Sequence, residues 1–341
     1  MKPKYKFPLI IAVLLLLAGG CAQNENEVNV YSGRHYQTDE KLFNKFTEQT
    51  GIKVNLVKAN SDQLLNRLEM EGERSPADIF ITADAGRLII AKEKGLLQPI
   101  NSKKATSIVP SHFRDAENYW MGFTKRARVI IYPKDSISPS ELNSYESLTD
   151  EKWQGRILIR SSQNHYNQTL MASIIAAHGE EEAINWAKGI VNNMARSPIG
   201  NDRDQIKGIA AGVGDIAIAN TYYMGLMLNS TNEEERKVAS QMGVFFPNQN
   251  DRGTHVNISG IGITANASNY DNARLLIEFL LSEQAQQVFT NENYEYPMNP
   301  DVEWPELLES WGEFKIDTIP LHQLGNHIHE AMIVFDKAGW N

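Results

Sequence analysis

Apolar and polar positions along this chain follow two rhythms, and their order predicts an architecture. Val28-Asn29-Val30-Tyr31 has the period of two of a half-buried strand. Ser32-Gly33-Arg34-His35-Tyr36 interrupts it as a loop. Leu42, Phe43 and Phe46 then recur at helical spacing, with Thr38 or Asp39 as the cap and Gly51 as the stop. Ile52, Val54 and Leu56 return to the period of two. Ser61 or Asp62 opens a second helix, which carries Leu64, Leu65 and Leu68 and ends at Gly72. Pro76-Ala77-Asp78-Ile79-Phe80-Ile81 has the unbroken apolar run of a buried strand, and Asp84 opens a helix ending at Gly95. Strand and helix alternating three times predict a parallel sheet with helices on its faces.

A second unit of similar kind follows residue 120. Tyr119 to Tyr132 holds two strand-like halves around Lys125-Arg126-Ala127-Arg128. Arg156 to Ile159 is a short strand that leads, through a polar loop ending at Asn167, into a helix from Gln168 to Ala177. Helices are expected over Glu180–Asn192 and Gln205–Ala211, before the apolar strand Ile216–Ala219. That strand meets the polar turn Asn220-Thr221 and hands over to a helix through Tyr222-Tyr223. Further strands are expected near Val244–Pro247 and Ile258–Thr264. Leu275 to Phe289 has the pattern of one amphipathic helix with Leu276, Phe279, Leu280 and Val288 inward. The chain has no internal repeat or low-complexity block. At 341 residues this pattern fits an α/β protein of two domains.

Composition changes the picture only at the start. Lys2, Lys4 and Lys6 precede an apolar run from Leu9 to Ala18, too short to span a bilayer. Ala18-Gly19-Gly20-Cys21 follows, with the only cysteine of the chain, and resembles a bacterial lipoprotein signal. It predicts a signal peptide over residues 1–20, lipidation of Cys21, a polar tether over 21–27 and an extracytoplasmic protein held to the membrane by lipid alone. A single cysteine rules out an internal disulfide. The net charge is −9, and loss of residues 1–20 removes three lysines and no acids, giving −12. Such a balance argues against nucleic acid as a partner.

Three loops carry the candidate chemistry, each after a predicted strand: Arg34-His35-Tyr36, His165-Tyr166-Asn167 and Thr221-Tyr222-Tyr223. The carboxyl ends of parallel strands line up along one sheet edge, where ligands of open α/β folds bind. Tyrosine supplies a hard oxygen donor once its proton is lost. A tandem pair can equally be two interface aromatics with satisfied hydroxyls. Other patterns are weaker. His327-Ile328-His329-Glu330 lacks the second histidine of a zinc-protease helix, and Asp78 and Asp84 suit loop hydrogen bonds and capping. No Gly-rich phosphate loop, nucleophile elbow or acid/base carboxylate pair is present.

Taken together, Tyr31-Ser32-Gly33-Arg34-His35-Tyr36, Ser75-Pro76-Ala77-Asp78, Thr124 to Arg128, Ile218 to Tyr223 and Tyr294-Glu295-Tyr296-Pro297 resemble the periplasmic ferric-iron-binding proteins of ABC importers, close to the cyanobacterial type. The resemblance implies a two-lobed periplasmic binding fold (type II) with two β-strand hinge connections. It also implies a non-enzymatic, monomeric protein that carries Fe(III) to a permease. Its ligands would be His35, Tyr36, Tyr166, Tyr222 and Tyr223, with His165 competing for the role of Tyr166. Lobe one would take residues 28–120 and 260–300, lobe two 125–245 and 301–341, and the hinge would lie near 121–132 and 244–262. Four phenolates around one ferric ion leave one excess negative charge, and Arg126 and Arg203, with Arg34 behind them, are the candidate cations. Their alternative is ordinary surface arginine. An anion or polyamine carrier of the same fold, or a non-haem iron enzyme, are the rival readings. An oxygenase would need two histidines and a carboxylate on strand ends, and none are so placed.

Overall fold

The computed structural model describes residues 26–341. The signal segment and Cys21 lie outside these residues. The expected tether overlaps them at its end, where Glu27 already begins the first strand.

The first lobe opens β1 (Glu27–Ser32), α1 (Gln37–Thr50), β2 (Lys53–Lys58), α2 (Ser61–Glu71), β3 (Ile79–Thr82), α3 (Ala85–Glu93), β4 (Leu97–Gln98) and α4 (Lys103–Ile108). β1 lies parallel to both β2 and β3, as the strand–helix alternation predicts. The caps differ from expectation. Asn60 caps α2 in a box with Gln63, in place of Ser61 or Asp62. Tyr36, whose side chain makes no cap bond, precedes α1, and Asp39 is occupied by Arg34.

β5 (Trp120–Pro133) is one continuous strand where two halves were expected, and it joins the lobes. Its first half pairs antiparallel with β9 (Val256–Thr264), giving the order β2-β1-β3-β9-β5. Its second half pairs with β7 (Ile216–Asn220) and β8 (Met242–Phe245), and β6 (Ile157–Leu158) lies parallel to β7. The sheet is therefore mixed and not purely parallel, with β9 antiparallel to both β3 and β5. β9 overlaps the end of the segment expected as hinge near 244–262, yet all its residues pair within the first lobe's sheet.

Around the second sheet lie α5 (His165–His178), α6 (Glu180–Asn193), α7 (Asp202–Ala210), α8 (Thr221–Leu228) and α9 (Glu233–Ser240). α5 and α7 each begin three residues earlier than their apolar pattern suggested. The segment expected as one helix over 275–289 is two, α10 (Tyr270–Leu280) and α11 (Glu283–Asn293). Ser282 breaks it: its hydroxyl accepts from the Ala285 amide and starts a new helix. Leu276 and Leu280 are buried, while Phe279 and Val288 only pack against the core's edge. β10 (Tyr296–Pro297) pairs with β5, and α12 (Glu306–Ser310) and α13 (Leu321–Ala338) complete the chain.

Two apolar clusters form the interior. One runs from the first lobe's sheet through Ala217, Ala219 and Met224; the other holds Ile130, Ile157, Ile216, Trp186, Phe335 and Trp340. α13 belongs to both lobes: Ala331, Val334 and Phe335 enter the second cluster, while Gly325 lies so close to Ile89 of α3 that any Cβ would collide with it.

Candidate metal centre

All three expected segments reach one cavity of about 420 Å³, lined by His35, Tyr36, Tyr166, Tyr222 and Tyr223. Only the first is a loop. Tyr166 stands in the first turn of α5, and Tyr222 and Tyr223 in the first turn of α8. The starts of α1, α5 and α8 have no side-chain cap. The partial positive charge of their first amides is thus free to favour an anion in the cavity.

The phenols touch one another. The Tyr166 and Tyr222 hydroxyls are 3.2 Å apart. Tyr36 meets Tyr222 edge-on across the cleft, with ring centroids 6.1 Å apart, and Tyr222 and Tyr223 are tilted at 4.2 Å. His35 is exposed at the rim, whereas Tyr166 and Tyr222 are buried. His165 packs against the Tyr166 ring at 4.1 Å and also lines the cavity, so geometry keeps it beside the set.

Burial pushes the Tyr36 phenol well above its ordinary range, and the negative charge of Glu295 adds to that. Burial likewise raises Tyr222 and Tyr223, helped by the neighbouring phenols. Burial thus favours the protonated form of Tyr36, Tyr222 and Tyr223. His165 is held well below its usual range by burial and then by the arginines around it, so its ring is neutral.

Of the arginines expected near the ligands, two are not surface residues at all. Arg34 and Arg126 are both 1% exposed and share the carboxylate of Glu295, Arg34 Nη2 at 2.9 Å and Arg126 Nη1 at 3.1 Å. Arg34 stacks over the Tyr36 ring at 4.5 Å, and Arg126 faces the Tyr166 ring at 5.5 Å. Arg203 sits at the rim, half-buried, with its guanidinium 3.5 Å from Glu235.

Several participants escaped the sequence reading. Glu295 is fully buried and, despite the cost of burial, is held down to about 2 by Arg34 and Arg126. Arg87 of α3 and Asp84, which caps that helix as expected, also reach across the cleft: Arg87 donates to Gln168 at 2.9 Å, and Asp84 accepts from Thr169 at 3.2 Å. Arg128 binds Asp202 at 2.8 Å and Asn167 at 2.9 Å. The available signal was a charge flanked by apolar residues, Tyr294-Glu295-Tyr296, which marks a buried ion but not its role.

Among the described residues no group of three or more His, Cys, Asp or Glu is placed to hold a metal. His327 is bound to Glu330 of its own helix at 2.6 Å. A groove of about 810 Å³ between α1 and α10–α11 is larger, but no tyrosines line it. Oxygen-rich, phenolic chemistry in this molecule is concentrated in the interlobe cavity.

Known proteins share this architecture. The chain is 49% identical over 316 residues to iron uptake protein A1 of Synechocystis sp. (strain ATCC 27184 / PCC 6803 / Kazusa), spanning 93% of this chain and 88% of that one. A Trichodesmium structure described as in complex with iron and citrate ligands is 48% identical, with a TM-score of 0.89 over 92% of this chain and 100% of that one. The ferric binding protein from Campylobacter jejuni is 45% identical, also with a TM-score of 0.89, over 92% of this chain and 100% of its own. Residues 74–315 match the profile of the bacterial extracellular solute-binding proteins, and the chain belongs to that family.

Proposed function

We propose that this protein captures Fe(III) between its two lobes and delivers it to the permease of an ABC importer. The observation that carries the reading is the meeting of four phenols, one from the first lobe and three from the second, in a single cavity. His35, Tyr36, Tyr166, Tyr222 and Tyr223 are the proposed ligands. Ferric ion is small, hard and highly charged, and it prefers anionic oxygen to the softer donors of most metal sites. The relatives named for iron uptake and ferric binding support the same cargo.

The chemistry follows from the empty state. Burial favours the neutral form of Tyr36, Tyr222 and Tyr223, so each of these that binds iron must lose its proton, as other ligands do beside a bound cation. Binding releases protons and weakens as pH falls. Arg126 and Arg34 lie against the rings that would become anionic, and Arg203 lies at the rim; these are the cations proposed to balance the excess charge. Ligands from both lobes make closure and capture one event. The lobe boundaries expected from the sequence, a monomeric state and anchoring through Cys21 belong to this same reading. It is binding without catalysis.

Colour tests it. Phenolate bound to Fe(III) has a visible charge-transfer band. Tyr222→Phe is expected to lose most of that band and to weaken ferric binding by more than the roughly 10–100-fold that loss of a supporting residue costs. His327→Ala, on a helix outside the cavity, is expected to keep both. A Tyr222→Phe protein as coloured and as tight as the parent would contradict the ligand assignment.

A further inference from the structure

Behind the phenols lies a closed group of four charges. Glu295 accepts from Arg34 Nη1 at 3.0 Å and Nη2 at 2.9 Å, and from Arg126 Nη1 at 3.1 Å. Thr124 and Ser259 hydroxyls at 2.9 and 3.1 Å and the Asn293 amide at 3.4 Å complete its shell. Asp39 takes the remaining edge of Arg34, at 2.9 Å from Nε and 3.0 Å from Nη2. Two cations and two anions cancel, with Glu295 and both arginines almost wholly out of water. The group is thus neutral on its own. Loading changes that balance, because anionic rings would then lie against the same two guanidiniums.

Resting on the ferric reading above, we infer that Glu295 sets the affinity of the site: it is the counter-charge that holds Arg34 and Arg126 when the cavity is empty, competes with the phenolates for them when it is full, and so keeps the cargo releasable. Scaffolding alone would give a different sign. If Glu295 only positioned the arginines, removing its charge would loosen them and weaken iron binding. As a counter-charge, its removal leaves one buried positive charge uncompensated, which the ferric–phenolate cluster then satisfies.

The test is Glu295→Gln, which keeps the shape and removes the charge. Ferric affinity is read by competition with EDTA, and release by decay of the visible band after the chelator is added. The expected result is roughly tenfold tighter binding, with correspondingly slower release. Glu295→Asp, which keeps the charge, is expected to stay near the parent. Unchanged or weaker binding in Glu295→Gln would overturn the inference. Should that variant fail to fold, Asp39→Asn decides: it removes the other anion of the group, and tighter binding supports the inference while unchanged or weaker binding overturns it. If the unmodified protein takes up no ferric ion and shows no band, the ferric reading itself fails, an outcome distinct from a coloured parent whose Glu295→Gln variant binds no more tightly.

Discussion

Two buried side chains, Glu295 and His255, make this molecule's stability depend on pH in the acid range. The Glu295 carboxyl lies far below its ordinary value in the fold, so its stabilisation is complete above about 4.5 and is lost as pH falls from there toward 2. Burial, helped by Arg252 and Arg128, lowers His255 to about 3, so the fold prefers its neutral ring and loses stability as pH drops from 6.5 through that range. The stability of the iron-free protein is therefore expected to fall over two overlapping pH ranges, an upper one from His255 and a lower one from Glu295. Glu295→Gln should flatten the fall over the lower range and His255→Asn over the upper; identical stability-against-pH curves for parent and variants would contradict both assignments. At this scale the sequence was most legible where chemistry is rare. Tandem tyrosines and His35-Tyr36 stand out in one dimension. Arg34 and Arg126 were reached as candidate cations through the resemblance, but an arginine written in a sequence carries no sign of burial, and their partner Glu295 stands more than a hundred and fifty positions from either.

Elements position those residues through one guanidinium. Arg128, on β5, binds Asp202 at the start of α7, Asn167 in the first turn of α5 and, at 3.3 Å, Asn220 at the end of β7. The segments bearing Tyr166, Arg203 and the tyrosine pair are thereby tied to the strand that crosses between lobes. Arg128→Met would leave Asp202 buried without its main partner, which typically costs about 3–5 kcal/mol. Chemical denaturation should show a loss of that order, and ferric affinity should fall because three helix starts lose their common anchor; a change within about 1 kcal/mol would remove Arg128 from this role. Sequence periodicity located β5, β7, α5, α7 and α8 but misjudged the starts of α5 and α7, and it passed over α4, α9 and α12. α5 and α7 begin within polar stretches that carry no apolar stripe, and the break at Ser282 is a hydroxyl cap inside an otherwise continuous apolar face. The mixed character of the sheet was hidden for another reason: antiparallel pairing of β5 with β9 joins residues far apart in the chain.

At the scale of the whole molecule, the two lobes already touch across the cavity through Arg87–Gln168, Asp84–Thr169 and the edge of Tyr36 on Tyr222. Capture of an ion by ligands on both sides stabilises that closed arrangement over an open one. Small-angle scattering of the iron-free protein is expected to show compaction when ferric citrate is added, and none with Tyr36→Phe and Tyr222→Phe combined. An α/β architecture of two units was legible from the alternation of strands and helices, while the sharing of α13 between lobes was not, since one apolar stripe looks the same whichever core it enters. What the account depends on is loss of phenolic protons to a trivalent ion. Titration of the iron-free protein with chelated Fe(III), with visible absorbance and released protons recorded together, tests it most directly. Saturation at one ion per chain is expected, with a growing charge-transfer band and several protons released for each ion bound; uptake without colour and without proton release would contradict the central claim.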